Sequence, residues 1–256
     1  MILTFHGYSL DAALRPYNTF LQNMHYQTDL RWFVSRGMRL ASKITCVSRF
    51  TADLVKMDMQ YEKPLRVIYN GIDEQRFHPA KLRDNKYFDV LFSGNLIRKK
   101  GGDLLPKILK KLDKNIRIFY TSGLRTRNLL PDDPRLVPIG RVPYLEMHSV
   151  YQKMNALLFP TVREGCPLVA LEAMACGIPV VASNTSSLPE IMKDQKSGFL
   201  CEIGDVECFA NALNHMANSP ALCREMGQYN RNRIEADFTY QRMVNEYKDL
   251  FEETLS

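Results

Sequence analysis

What this 256-residue chain lacks narrows its function first. No uninterrupted apolar run approaches the ~18 residues of a membrane-spanning helix. The start, MILTFHGYS, has neither a basic segment nor a cleavage site, so no signal peptide is expected there. The six cysteines, Cys46, Cys166, Cys176, Cys201, Cys208 and Cys223, form no C-x-x-C pair and stand in no His/Cys cluster with zinc spacing. That removes a structural zinc site. It leaves six free, mostly buried thiols in a reducing, cytoplasmic compartment as the expectation. Zinc-finger, RNA-recognition and basic-zipper patterns are absent, so no nucleic-acid partner is expected. Internal repeats and low-complexity segments are also missing.

What is present is ordinary in bulk. Apolar residues make up 45% and charged residues 24%, values usual for a globular protein. The net charge of +6 is mild and suits an anionic small ligand or an anionic membrane surface. Short apolar runs alternate with amphipathic segments. Strands are expected at 2–5, 44–48, 66–69, 89–94, 116–121, 156–160 and 179–183. Helices are expected near 28–43, 101–112, 145–153, 167–176, 205–217, 219–235 and 239–255. This alternation implies an α/β fold with a parallel sheet covered on both faces, where ligands bind beyond the carboxyl ends of the strands. The polar stretch at 70–87 suggests a boundary. Residues 1–70 then form a partial Rossmann-like domain, and 71–237 a complete doubly wound one. Residues 238–256 form a closing helix that returns toward the first part, with Val244, Tyr247 and Phe251 expected inward. About 70 residues are few for a domain of that kind, so the first part reads as cut short at its start.

One segment, REGCPLVALEAMACGIPVVAS (163–183), carries more than fold. It sets Glu164 in the loop after a buried strand. Pro167 suits the first turn of a helix, where its missing N–H costs nothing. Gly177 suits the helix end. Glu172 lies eight residues after Glu164, close to two turns at 3.6 residues each, so both carboxylates are expected toward one side. A helix N-terminus between them offers unpaired N–H groups and partial positive charge, which suit a phosphate. Carboxylates accept hydrogen bonds, and sugar hydroxyls donate them.

This segment resembles the E-x7-E region of retaining glycosyltransferases of the GT-B fold, the large family 4. Four further stretches resemble the family in order: CVSRFTADLV (46–55), VIYNGID (67–73), FSGNLIRKKG (92–101) and SLPEIMKDQKSGFLCEIGD (187–205). The resemblance implies a GT-B-like fold and transfer of a sugar from a nucleotide-sugar donor to an acceptor hydroxyl with retention. It points to cell-surface polysaccharide or glycolipid synthesis. Carried over by position, Lys100 would neutralise the donor diphosphate, Glu164 would hold the donor sugar and Glu172 the ribose. Gly94 would let the loop approach, and Gly165, Cys166, Pro167 and Leu168 would lie against sugar and phosphates. His6 resembles a cleft histidine of the first domain, which makes His6, Lys100 and Glu164 the expected catalytic group.

Two departures stand out. Asn95 takes the place of a usual arginine and cannot grip a phosphate bidentately. Cys166 takes a place often held by an aromatic residue. Arg98 and Lys99 read as solvated. No two aspartates are separated by a single residue, so the metal-holding D-x-D pattern is absent, and neither metal nor cofactor is expected. Two other readings stay open: a nucleotide-sugar-binding remnant without turnover, and a sugar-nucleotide epimerase. The segment TDLRWFVSRGMRLASK (28–43) places Leu30, Phe33, Val34, Gly37, Leu40 and Ala41 at helical spacing among basic residues. It reads either as a helix packed on the sheet or as one resting on anionic lipid at the inner face of the plasma membrane. The expected acceptor is a carbohydrate or a lipid-linked sugar.

Overall fold

The structure is a computed structural model that describes residues 1–80, 86–121 and 130–255. Part of the polar stretch at 70–87 therefore lies outside the described residues. The first strands are β1 (Ile2–Phe5), β2 (Lys43–Cys46) and β3 (Arg66–Val67). Among them run α1 (Phe20–His25), α2 (Arg31–Leu40) and α3 (Arg49–Met59). There follow β4 (Phe88–Phe92), α4 (Leu105–Leu109), β5 (Ile116–Thr121), β6 (Leu136–Gly140), α5 (Met147–Tyr151), β7 (Ala156–Phe159) and α6 (Leu168–Ala175). The rest is β8 (Val180–Ser183), α7 (Leu188–Ile191), β9 (Gly198–Cys201), α8 (Val206–Ala217), α9 (Pro220–Asp237) and α10 (Tyr240–Leu255).

Among the described residues two sheets result, one of three strands ordered β1-β2-β3 and one of six ordered β6-β5-β4-β7-β8-β9, and all their strand pairs are parallel. The six-stranded order is the doubly wound one, in which the chain starts at the centre, runs to one edge, then returns and fills the other half. Alternate side chains feed two cores. Leu91, Leu157, Val180 and Ala182 pack with α6 and α9. Val90, Ala156, Leu158 and Val181 pack with α4 and α8. Burial on both faces explains why these strands read as continuous apolar runs rather than alternating ones.

Two strands escaped the sequence reading. β6 contains Pro138, which lacks an N–H and is tolerated because β6 is an edge strand. β9 is a four-residue GFLC run opening on Gly198 (φ +138), too short and weakly patterned to stand out. The helix expected at 101–112 shortens to five residues. Gly101 sits at φ +75, and a Cβ there would lie 2.2 Å from the Pro160 carbonyl oxygen. Pro167 is the N-cap of α6 rather than part of its first turn, while Gly177 does end it at φ +68.

Two expectations need correction. Cys201 and Cys208 are joined as a disulfide, with Cα atoms 5.7 Å apart, so the six thiols are not all free. Gly204 (φ +81) reverses the chain after β9, and Asp205 caps α8 by accepting the Cys208 N–H at 3.0 Å, which lays Cys208 beside the strand end. Burial pushes the free thiols of Cys46, Cys166 and Cys176 up to about 12, so they are packing groups. On α2 the inward residues are Met38 and Val34, whereas Phe33 and Leu40 point outward. On α10 it is Leu250 that is buried, and Phe251 is exposed.

α10 packs back toward the three-stranded sheet. Arg66 pairs with Glu253 at 2.8 Å, and Arg242 donates to the Tyr69 carbonyl at 2.7 Å. Ile72 and Thr239 form a bridge, and Gly71 permits it: a Cβ there would sit 2.5 Å from the Thr239 oxygen.

Candidate functional site

The six-stranded order reverses direction between β4 and β7, and the crevice beyond their carboxyl ends is where such sheets bind ligands. The loop after β4 carries Gly94, Asn95, Lys99 and Lys100. The loop after β7 carries Arg163, Glu164, Gly165 and Cys166. Gly94 has φ +145 with nothing within 4 Å of its missing Cβ, so backbone conformation and not space selects glycine there. Its N–H donates to Thr121 Oγ1 at 2.9 Å. Asn95 is exposed. The two loops are stitched together by the Val162 N–H, which donates to the Lys99 carbonyl at 3.0 Å.

Across that stitch Lys100 Nζ meets Glu164 Oε1 at 2.5 Å. The Thr161 hydroxyl donates to the same carboxylate oxygen at 2.7 Å, and the Glu164 N–H donates to Ser186 Oγ at 3.1 Å. The Glu164 side chain is 13% exposed and that of Lys100 32%, so the pair is sheltered yet reachable.

Glu172, one turn into α6, is only 5% exposed. Tyr151 at the end of α5, itself fully buried, donates its hydroxyl to Glu172 Oε2 at 2.7 Å. Burial raises the Glu172 pKa above the usual carboxylate range, and the Tyr151 hydrogen bond pulls part of that rise back. Ser93, at the start of the β4 loop, lies close to the same tyrosine hydroxyl. The two glutamates thus have separate partners, Lys100 and Tyr151, and both partners lead to the 93–100 loop. Pro167, the N-cap of α6, makes no side-chain capping hydrogen bond, and Leu168 after it is exposed.

The three-stranded part reaches this loop directly. A Cβ on Gly165 would lie 2.2 Å from the His6 carbonyl oxygen and 3.1 Å from the Gly7 Cα, so only glycine lets the end of β1 approach so closely. His6 is exposed beside the Glu164–Cys166 turn. Asn70 donates to the Cys166 carbonyl at 2.7 Å. Arg163 bonds Asp11 at 2.6 Å and Thr185 at 2.7 Å.

The sequence reading assigned no role to Tyr151, Thr161, Arg163, Asp11 or Glu190; Arg163 and Glu190 lie inside the stretches 163–183 and 187–205, but nothing local to any of the five shows which residue it meets. Glu190 accepts the Arg49 and Phe50 N–H groups at 2.9 and 2.7 Å and the Tyr69 hydroxyl at 2.6 Å. Its carboxylate so caps the N-terminus of α3 from the other sheet's layer. Glu190→Ala should lower unfolding stability by about 1–3 kcal/mol in a denaturant titration, with Glu190→Gln recovering part of the loss. A change within error for both would mean that water replaces the cap.

A cavity of about 610 Å³ lies at the opposite ends of the strands, bordered by Phe88, Asn115, Asn155, Pro179 and Arg224. It gathers none of the candidate donor-site residues.

Residues 1–76 match the family model described as Glycosyltransferase Family 4, and residues 134–233 match that described as Glycosyl transferases group 1. An uncharacterized glycosyltransferase of Methanocaldococcus jannaschii is 26% identical over 227 residues, covering 87% of this chain and 63% of that protein. The capsular polysaccharide biosynthesis glycosyltransferase CapM of Staphylococcus aureus is 28% identical over 189 residues, covering 70% and 48%. The chain thus spans 48–63% of the length of these curated relatives. The crystal structure of Anabaena HepE in complex with UDP-glucose superposes with a TM-score of 0.83 at 19% identity, covering 98% of this chain and 72% of that one. The fold is therefore GT-B-like, and both parts of the chain carry glycosyltransferase domain matches.

Proposed function

We propose that this chain, with a glycosyltransferase domain match in each of its two parts, moves a sugar from a nucleotide-sugar donor to a hydroxyl of a carbohydrate or lipid-linked acceptor, in the synthesis of a cell-surface polysaccharide or glycolipid. The observation that carries the reading is the meeting of Lys100 and Glu164 at the switch point of the six-stranded sheet, with Glu172 bonded by Tyr151, whose hydroxyl lies close to Ser93 of the same β4 loop. Capsular polysaccharide biosynthesis in the name of one relative supports the process, and UDP-glucose in a structural neighbour supports the donor class. In this reading Lys100 and the start of α6 face the diphosphate. Glu164 accepts hydrogen bonds from the sugar, and Glu172 from the ribose. His6 approaches the transferred sugar.

The bond from the anomeric carbon to the phosphate oxygen breaks, and the bond to the acceptor oxygen forms on the same face. The acceptor proton passes to the departing phosphate. Fixed cationic and dipolar groups stabilise the charge that builds on that phosphate, without a metal. Calorimetric titration with UDP-, GDP- and ADP-sugars should show one class binding, and product analysis should show transfer. Isomerised donor without acceptor would instead establish an epimerase, and binding without any turnover a binding remnant.

A pH profile tests the role of Glu172. Because its pKa is raised and the ribose needs the ionised acceptor, donor affinity should fall on acidification while still above the ordinary carboxylate range. Tyr151→Phe removes the bond that pulls the pKa down, so its acid limb should move to higher pH. An unmoved limb would remove Glu172 from the donor site.

The face of α1 and α2 supports a membrane-surface reading alongside this. Phe20, Leu21, Trp32, Phe33 and Leu40 are 55–81% exposed. Arg36 stacks on Trp32 at 5.6 Å, with Arg39 and Lys43 nearby in sequence. We propose that this face rests on anionic lipid. Trp32 is the chain's one tryptophan, so its fluorescence reports on this face alone. Emission should shift to the blue with phosphatidylglycerol vesicles and not with phosphatidylcholine vesicles, and salt should reverse the shift. No shift with either ends the idea.

A further inference from the structure

We propose that Lys99, beside the expected phosphate lysine, is a second ligand of the donor diphosphate and supplies the positive charge that Asn95 does not. This deepens the donor-site reading above and rests on it. Where the two strand-end loops meet the first residues of the three-stranded part, three cations and two carboxylates gather: Lys99, Lys100, Arg163, Glu164 and Asp11. Lys100 is taken by Glu164 at 2.5 Å, and Arg163 by Asp11 at 2.6 Å. Lys99 forms no ion pair among the described residues, so one positive charge stays unbalanced at the seam.

Lys99 is also not the solvated cation that the run RKK suggests. Arg98 is exposed and stacks on Tyr17 at 5.3 Å, but Lys99 is half-buried. Its backbone is held where its carbonyl accepts the Val162 N–H at 3.0 Å, within the loop that carries Glu164. Burial first, and then repulsion by Lys100, lowers its pKa, while Glu164 and Asp11 partly restore it. A sheltered cation next to another cation is an unfavourable arrangement that a polyanion relieves. Glu164, engaged with Lys100, cannot serve both lysines fully. When a sugar claims Glu164, both ammonium groups are left to face the diphosphate.

The test compares nucleoside diphosphate with nucleoside monophosphate of whichever base the wild type binds, by calorimetry on the full chain. Lys99→Met should weaken the diphosphate about tenfold or more and the monophosphate by less than about threefold. Adding Asn95→Arg should restore diphosphate affinity, because it returns a cation to the same loop. Wild-type affinity should also begin to fall on the alkaline side below the usual lysine range, and that limb should be gone in Lys99→Met. A Lys99→Met protein with wild-type diphosphate affinity overturns the proposal. So does an equal loss for both nucleotides with lowered thermal stability, which would make Lys99 a brace for Glu164 and Asp11. If wild type and Glu172→Ala bind no nucleoside diphosphate at all, the donor-site reading itself fails. If Glu172→Ala weakens the diphosphate and Lys99→Met does not, only the role of Lys99 fails.

Discussion

Gly165→Ala should cost about a hundredfold or more in transfer rate, with a much smaller loss of donor affinity. The reason is a single contact. The Cβ that alanine adds would stand 2.2 Å from the His6 carbonyl oxygen and 2.9 Å from its carbonyl carbon. Both sides of that contact are backbone, so no rotamer change relieves it, and the end of β1 must move away by about an ångström to reach ordinary contact distance. Gly165 is not among the residues with positive φ, so alanine is not strained in itself. What is lost is the approach of the two parts. His6 then no longer meets the Lys100–Glu164 side of the crevice in register, and misplacement on this scale is expensive for a reaction that depends on alignment. Donor groups on the six-stranded sheet keep their partners. Steady-state transfer measured beside nucleotide titration separates the two effects. Transfer at the wild-type rate would show that the reacting geometry does not use this seam.

The second large effect is expected at Glu172. Glu172→Ala should weaken nucleotide-sugar binding about a hundredfold, the scale of one or two lost hydrogen bonds to a charged acceptor. Thermal stability should change little. Removing the side chain relieves a carboxylate that burial disfavours, and it leaves the Tyr151 hydroxyl without its 2.7 Å acceptor, so gain and loss oppose each other. Glu172→Gln keeps the shape and one acceptor oxygen and should fall between the two. Equal donor affinity in wild type and Glu172→Ala would remove the ribose role and with it the reading of the crevice as a nucleotide-sugar site.

The elements most legible in sequence were those with strong local signals. The strands ILTF and IRIFYT stand where their composition put them, as does α6 between Pro167 and Gly177. β6 was not legible because a proline is tolerated only on an edge, and an edge is a property of strand order. The disulfide was not legible because a seven-residue spacing brings two cysteines together only when a turn at Gly204 folds the segment back. The outward side of α2 was not legible because helical spacing shows which residues share a stripe, not which stripe the sheet covers. At the site, Lys100, Glu164 and Glu172 could be named from local patterns. Lys99 could not, since its half-burial depends on loops from three parts of the chain.

The amino-acid order by itself determined the strand–helix alternation, the punctuation of α6 and the residue types available for gripping an anion and hydroxyl groups. These are local matters, settled by periodicity and by the backbone limits of glycine and proline. Only the tertiary structure decided who meets whom: Lys100 with Glu164 across 64 positions, Tyr151 with Glu172 across 21, and Gly165 against the His6 backbone. Such meetings follow from strand order and from how closely two backbones approach, and no short window of sequence contains either.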